Sequence, residues 1–124
     1  MSFEVGLVGS VRASHVMPGF PPPEGEPHTH DYRIDVTIER DELDDAGMVI
    51  DLDEVRRALE TTTAEISGVD LNEHLQMREV TVERFARWIH DRIAQALGDV
   101  PGATVRVRVW EGRDAFGGYS APSA

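Results

Sequence analysis

Three histidines, His15, His28 and His30, carry the strongest chemical signal in this sequence. One residue separates His28 from His30, and alternate side chains of a β-strand share a face, so both imidazoles would project from one side. Three neutral imidazoles with an open fourth position are typical of a catalytic zinc site rather than a structural one. Two histidines at this spacing also occur without a metal, at the rim of a turn. His15 favours the metal interpretation if its strand pairs with that of His28.

The residues around these histidines predict two strands joined by a long loop. Apolar residues occupy alternate positions from Phe3 to His15, and again from His28 to about residue 40. This period of two indicates half-buried strands. Residues 16–27 contain five prolines and two glycines, a density that no helix or central strand tolerates. An antiparallel pairing would bring the three imidazoles together, because the first strand ends where the second begins.

The middle of the chain predicts two amphipathic helices. Residues 52–66 place apolar side chains at the helical period, and Asp51 or Asp53 can cap their start. The second helix follows Thr81 and ends at Gly98. A short polar segment links the two helices.

Two further strands are expected near the C-terminus. Residues 105–110 alternate valine with arginine or tryptophan, and residues 115–121 suit a short fourth strand. The order β-β-α-α-β-β lacks the alternation of parallel sheets. The fold class expected is therefore α+β, a four-stranded antiparallel sheet with two helices on one face, in a single domain over residues 1–124.

The composition excludes several classes of function. The chain has no cysteine, so a metal site must use His, Asp or Glu, and it has no lysine for a Schiff base or a Walker-type phosphate loop. The net charge of −11 opposes nucleic-acid binding. No segment approaches the length of a membrane-spanning helix, and the N-terminus does not resemble a signal peptide, so a cytoplasmic protein is expected.

Four motifs together resemble the 6-pyruvoyl-tetrahydropterin and 6-carboxy-tetrahydropterin synthase family. Residues 11–15 (VRASH) resemble the family's Phe-x-Ala-x-His, and residues 28–32 (HTHDY) resemble its His-Gly-His-Asn-Tyr. Residues 47–51 (GMVID) resemble Gly-Met-Val-x-Asp, and residues 81–83 (TVE) resemble Thr-x-Glu. The resemblance covers nearly the whole chain.

This resemblance implies a tunnelling fold in which sheets assemble into an oligomeric barrel, with active sites at subunit interfaces in a homohexamer of two trimers. It also implies that His15, His28 and His30 bind Zn²⁺. Glu111 matches the family's pterin anchor, and a carboxylate there can accept paired hydrogen bonds from the 2-amino and N3 groups of the ring. Thr81 falls in a second substrate-binding motif. Without the resemblance, Glu111 would be taken as a solvated residue at a strand end.

The sequence departs from the family where the catalytic groups usually lie. Glu24 occupies the position of the bacterial catalytic cysteine, and Ser67 and Gly68 replace the aspartate and histidine of the proton relay. Glu24 or Glu26 could supply a general base, since a carboxylate with a raised pKa can do this work. Both could equally be solvated charges on the proline-rich loop. Some members of the family use a glutamate near this position and cleave the dihydroneopterin side chain to 6-hydroxymethyl-dihydropterin.

Two other histidines, His74 and His90, lie outside these motifs. His74 lies four residues after Asp70, so the two could form a substitute Asp-His pair on one face of a helix. His90 lies within the second predicted helix, where a partly exposed histidine without a chemical role is expected.

The leading hypothesis is a zinc-dependent lyase that acts on 7,8-dihydroneopterin or its triphosphate. A second hypothesis is a catalytically altered homologue that binds zinc and a pterin-like heterocycle without the standard synthase reaction. A third is a related zinc enzyme that acts on a different small heterocycle.

Overall fold

A four-stranded antiparallel sheet in the order β1-β2-β3-β4 forms the framework of the computed structural model, which describes residues 1–123. The strands are β1 (Phe3–His15), β2 (His28–Arg40), β3 (Thr104–Trp110) and β4 (Phe116–Pro122). The helices are α1 (Leu52–Ile66), α2 (Leu71–His74) and α3 (Val82–Leu97). Every strand pairs with its neighbour in sequence within the sheet, so the topology is a meander with the helices inserted between β2 and β3.

The alternating strand pattern puts one face of the sheet into the core. Ile34, Val36 and Ile38 of β2 are fully buried, and so are the three valines of β3. The side chains between them, such as Arg33 and Arg108, lie on the opposite face and are exposed. Burial of the apolar face is the main driving force for this arrangement.

The two long helices cover that buried face. α1 contacts β1 and buries Val55 and Leu59, and α3 contacts β3 and β4 and buries Phe85, Ile89 and Ile93. The apolar side chains of each helix recur every three or four residues, so they form a stripe that faces the sheet.

Side-chain caps begin both helices. Asp51 accepts a hydrogen bond from the Asp53 backbone N at 2.9 Å at the start of α1. Thr81 accepts one from the Arg84 backbone N at 3.2 Å at the start of α3. Each cap satisfies a backbone donor that the first helical turn leaves free.

The observed elements follow the expected order, with two differences. The polar segment between the long helices contains the short helix α2, which Asp70 caps by accepting a hydrogen bond from the Glu73 backbone N. The last strand runs over Phe116–Pro122, one residue later than expected. Among residues 1–123, no helix combines the length and the apolar character needed to cross a bilayer.

Candidate metal centre

The pairing of β1 with β2 brings the three histidines together at one end of the sheet. His15 lies directly opposite His28, and Ala13 lies opposite His30. The ring centroid of His15 is 4.4 Å from that of His28 and 5.2 Å from that of His30. The rings of His28 and His30 are 4.7 Å apart. The register alone therefore gathers three imidazoles, as the alternation of the two strands predicts.

Backbone carbonyls orient two of the three rings. His15 Nδ1 lies 3.0 Å from the Val80 carbonyl oxygen, and His28 Nδ1 lies 2.7 Å from that of Glu26. A carbonyl only accepts, so each Nδ1 must carry the proton, which leaves a lone pair on Nε2. Histidines that bind a metal through one ring nitrogen usually donate a hydrogen bond through the other nitrogen in this way.

The Glu111 carboxylate lies close to the Nε2 atoms of His15 and His30. His15 Nε2 and His30 Nε2 are buried and have no hydrogen-bond partner of good geometry. Glu111 Oε1 lies 2.8 Å from His30 Nε2 and 3.5 Å from His15 Nε2. One ligand atom from each of His15, His28, His30 and Glu111 lies within 4.8 Å of the other three. Buried nitrogens without partners are costly, and a cation would satisfy them, so these residues fit a metal ion.

The local electrostatics favour a neutral His30 imidazole beside an ionised Glu111 carboxylate. Burial lowers the pKa of His30, and His28 and His15 lower it further, against the opposing effect of Glu111. The contact with His15 lowers the pKa of Glu111, and the charges of the neighbouring histidines add to this effect while burial opposes it. A neutral imidazole and a carboxylate are the protonation states that bind metals.

The four residues line a cavity of about 480 Å³. Its lining residues come from the ends of β1, β2 and β3, the proline-rich loop and the start of α3: His15, Met17, Phe20, Pro23, Glu24, His28, His30, Val80, Thr81, Val82, Glu83, Glu111, Gly112 and Ala115. This volume lies within the range of small-molecule sites, and the wall combines apolar side chains with a few polar groups.

The structure separates the two glutamates of the proline-rich loop. Glu24 lines the cavity, whereas Glu26 is not among the lining residues and contributes its backbone carbonyl to His28. Thr81 lines the cavity at the start of α3, close to Glu83. Of the residues predicted from sequence, the cavity therefore brings together the three histidines, Glu111, Glu24 and Thr81.

Asp70 and His74 lie elsewhere in the chain and do not contact each other through their side chains. His74 Nε2 lies 2.8 Å from Glu65 Oε2 of α1, and the Asp70 carboxylate caps α2. Both residues line a separate surface groove beside α2. The Asp-His pair that the spacing allowed is not hydrogen-bonded within residues 1–123, because each side chain has a different partner.

Ser67 and Gly68, which replace the relay aspartate and histidine of the family, lie along the edge of β1. The Gly68 backbone N donates to the Arg12 carbonyl oxygen at 2.7 Å, and the Ser14 N donates to the Val69 oxygen at 3.0 Å. Neither Ser67 nor Gly68 lines the cavity of its own chain. This segment holds the end of β1, which carries His15, in place.

The expectation for His90 was wrong. His90 is 3% exposed, packs edge-on against Tyr119 at 4.8 Å and places Nδ1 3.0 Å from an Asp91 carboxylate oxygen. It is buried because its position on α3 faces β4, which the helical period alone did not indicate.

Several cavity residues had no assigned role in the sequence analysis. Phe20 and Met17 lie on the proline-rich loop, and Glu83 lies two residues after Thr81. A signal existed for Glu83, which ends the Thr-x-Glu motif. For Phe20 and Met17 the sequence offered only their place in the loop.

Comparisons with known proteins agree with this geometry. The sequence model of a family described as 6-pyruvoyl tetrahydropterin synthase matches residues 8–122. No curated protein sequence matches the chain. Solved structures with the same fold include 6-pyruvoyl tetrahydropterin synthase from Caenorhabditis elegans, which is 18% identical with a TM-score of 0.80, over 98% of this chain and 96% of that one.

Two other structures extend the likeness. A catalytic-residue mutant of Plasmodium vivax 6-pyruvoyltetrahydropterin synthase, in which a glutamate is replaced by alanine, is 11% identical with a TM-score of 0.79, over 98% of this chain and 99% of that one. An uncharacterized protein from Wolinella succinogenes is 14% identical with a TM-score of 0.75, over 96% and 98% of the two chains. At these identities the structures show the fold, which is the tunnelling fold.

Proposed function

The chain belongs to the 6-pyruvoyl tetrahydropterin synthase family, and we propose that it is a zinc-dependent lyase acting on the side chain of 7,8-dihydroneopterin or its triphosphate. The observation that carries this proposal is the convergence of three imidazoles and one carboxylate in a cavity of about 480 Å³. The volume of the cavity suits this substrate class, because a pterin ring with a short side chain is a small molecule of suitable size.

His15, His28 and His30 would hold the zinc ion. The carbonyls of Val80 and Glu26 favour the tautomers of His15 and His28 that direct Nε2 toward the centre. Zinc supplies a Lewis acid that polarises the side-chain oxygens of the substrate when it is bound there. Three protein ligands would be the number found in catalytic zinc sites, which keep a position open for water or substrate.

Glu111 would hold the pterin ring. Its side chain remains 36% exposed at the cavity although one oxygen contacts His30. A carboxylate can accept two parallel hydrogen bonds from the 2-amino and N3 groups, which fixes the orientation of the ring as well as its position. Thr81 lies on the same wall and can add a hydroxyl contact.

Glu24 would move the proton that the missing cysteine moves in other members. It lines the cavity with the three histidines, whereas Glu26 is not among the lining residues, so Glu24 is the better candidate. A catalytic glutamate is also described in the Plasmodium vivax relative, whose mutant structure replaces it by alanine. Glu24 would accept a proton from the substrate side chain as a bond within that side chain breaks, and would return the proton to the product.

The working protein would be a homohexamer of two trimers with its sites at subunit interfaces, as expected for this family. Asp70 and His74, which lie beside a groove on the surface of their own chain, would then act in the site of a neighbouring subunit. The edge of β4 and the first part of the edge of β1, before the hydrogen bonds to Gly68 and Val69, support assembly, because unpaired strand edges are open to pairing with another chain.

A second candidate function is pterin binding without the lyase reaction. It is favoured by the contact between His74 and Glu65, which occupies the one histidine available to replace the usual relay. The absence of cysteine from the sequence is consistent with this candidate as well.

The deciding experiment incubates the zinc-loaded protein with 7,8-dihydroneopterin and, separately, with its triphosphate, and identifies the products by mass. We expect turnover of one of the two. Tight binding of both without any product would reject the lyase in favour of the binding protein. Failure to bind either would reject pterins as the ligand class.

A further inference from the structure

Phe20 is an exposed aromatic residue in the wall of the cavity. Three phenylalanines of this chain have similar exposure: Phe3 at 50%, Phe20 at 52% and Phe116 at 48%. Phe116 packs against Trp110 at 4.6 Å and beneath Arg108 at 5.0 Å. Within residues 1–123, no aromatic ring or guanidinium stacks on Phe20, and of the three only Phe20 lines the cavity.

The loop that carries Phe20 is held by its own backbone. The Met17 N donates to the Glu24 carbonyl oxygen at 2.8 Å, and the Phe20 N donates to the Met17 oxygen at 3.2 Å. The Gly25 N donates to the Pro21 oxygen at 3.2 Å. These bonds close residues 17–25 into a compact turn, so Phe20 and Glu24 are presented together.

Gly25 permits this closure because it lacks a side chain. A Cβ at this position would lie 1.8 Å from the Phe20 carbonyl oxygen, which is a backbone atom that cannot move aside easily. Any other residue at position 25 would force the backbone of this turn to shift. The turn thus fixes the position of Phe20 relative to Glu24.

The other lining residues of the cavity offer a ligand polar atoms or aliphatic surface. Glu111 and the histidine nitrogens offer polar atoms, while Met17, Pro23 and the valines of the wall offer aliphatic surface. Apart from the imidazoles, Phe20 supplies the only aromatic ring among the lining residues of the described chain. A flat heterocycle has two π-faces that hydrogen bonds at its edges leave uncovered, and an aromatic side chain covers such a face well.

We propose that Phe20 stacks on the bicyclic ring of the pterin and is a specificity-determining residue for flat heterocycles. This inference rests on the proposed function, since it assumes a pterin in the cavity. It assigns Phe20 to binding of the ring, while Glu24 acts on the side chain.

The test measures binding of neopterin, a fluorescent and fully aromatic pterin, to the wild-type protein and to variants at position 20. Phe20→Leu keeps an apolar side chain and removes the aromatic face, so affinity should fall by about five- to tenfold. Phe20→Trp should keep affinity within about twofold of the wild type, because stacking on indole is at least as good. Phe3→Leu is the matched control, with the same chemical change at the same exposure outside the cavity, and should leave affinity unchanged.

Tryptophan fluorescence gives a second measurement. The native tryptophans, Trp88 and Trp110, do not line the cavity, whereas the new indole of Phe20→Trp should be quenched when neopterin binds. Circular dichroism and the mass of the assembly are recorded for every variant.

Equal affinities of the wild type and Phe20→Leu would overturn the stacking role and leave the proposed function standing. A change in assembly mass with unchanged affinity would also overturn it, and would make Phe20 a subunit contact. If the wild-type protein itself does not bind neopterin or 7,8-dihydroneopterin, the proposed function fails and this inference fails with it.

Discussion

Among residues 1–123, histidines lie near carboxylates at the end of the sheet, beside α2 and on α3, and the first two of these regions differ in what they offer chemically. At the end of the sheet, His15, His28 and His30 converge with Glu111 around a cavity. Beside α2, His74 pairs with Glu65, and Arg92 reaches the same carboxylate oxygen at 3.1 Å. The first region has ring nitrogens without partners, whereas His74 already has one.

The difference lies in how the side chains are positioned. Paired strands fix each residue opposite a partner across the whole register, so neighbouring histidines have to meet. A spacing of four residues on a helix only makes contact available, and a competing partner from another element can replace it. Here Glu65 in the last turn of α1 contacts His74, while the Asp70 side chain caps α2 by accepting from the Glu73 backbone N.

The largest effect is expected at the two candidate bases of the proline-rich loop, Glu24, which lines the cavity, and Glu26, which is not among the lining residues. Glu24→Gln should lower kcat for the pterin substrate by about 10²- to 10⁴-fold, the usual loss on removing a general base. Glu26→Gln is the matched control and should change kcat by less than about threefold, because it keeps the backbone carbonyl that orients His28. Steady-state kinetics decide the point, and equal losses in the two variants would contradict the assignment of Glu24.

A smaller effect is expected at the cap of α2. Asp70→Ala should lower the free energy of unfolding by about 1 kcal/mol, because the Glu73 backbone N loses its acceptor. Urea denaturation measures this change, and Asp70→Asn should recover most of it, since asparagine also caps helices. A loss of turnover greater than tenfold in Asp70→Ala would support the proposed role of Asp70 in the site of a neighbouring subunit, and unchanged turnover in both variants would contradict it.

The smallest effect concerns the ion pair of Glu65. The hydrogen bond from His74 lowers the pKa of Glu65, and the positive charge of Arg92 adds to this effect against the opposing effect of burial. A carboxylate with a lowered pKa stabilises the fold above its ordinary pKa of 4.5, and this contribution is lost as the pH falls through the lowered value.

Denaturation of the wild type and Glu65→Gln should therefore differ by less than about 1 kcal/mol at pH 6, because the pair is partly exposed. The difference should shrink as the pH falls below 4.5. A difference that grows toward low pH would contradict this account of the pair.

Much of the fold and the core of the site follow from sequence patterns. The alternation of residues 3–15 and 28–40 predicted both strands and the meeting of His15 with His28, since a period of two leaves little freedom in register. The start of α1 at Asp51 or Asp53 and the start of the second long helix after Thr81 were also predicted, because the signals at a helix start are local.

The remaining features depend on contacts between elements far apart in sequence. The pairing of His74 with Glu65 joins α2 to α1, and the burial of His90 depends on where β4 packs. The turn that presents Phe20 and Glu24 is set by backbone hydrogen bonds within a loop that has no periodic pattern. No local propensity encodes such contacts, so the sequence alone could not place these side chains.

The most direct test of the metal centre is the zinc content of three proteins after dialysis against a competing chelator. Wild-type protein should retain about one zinc per subunit, and His28→Ala, which removes one of three ligands, should retain less than about a tenth of that amount. His74→Ala should retain as much as the wild type, because His74 contacts Glu65 rather than the cavity. Full zinc retention by a folded His28→Ala protein, or zinc loss from His74→Ala, would contradict the assignment of the site to the three histidines.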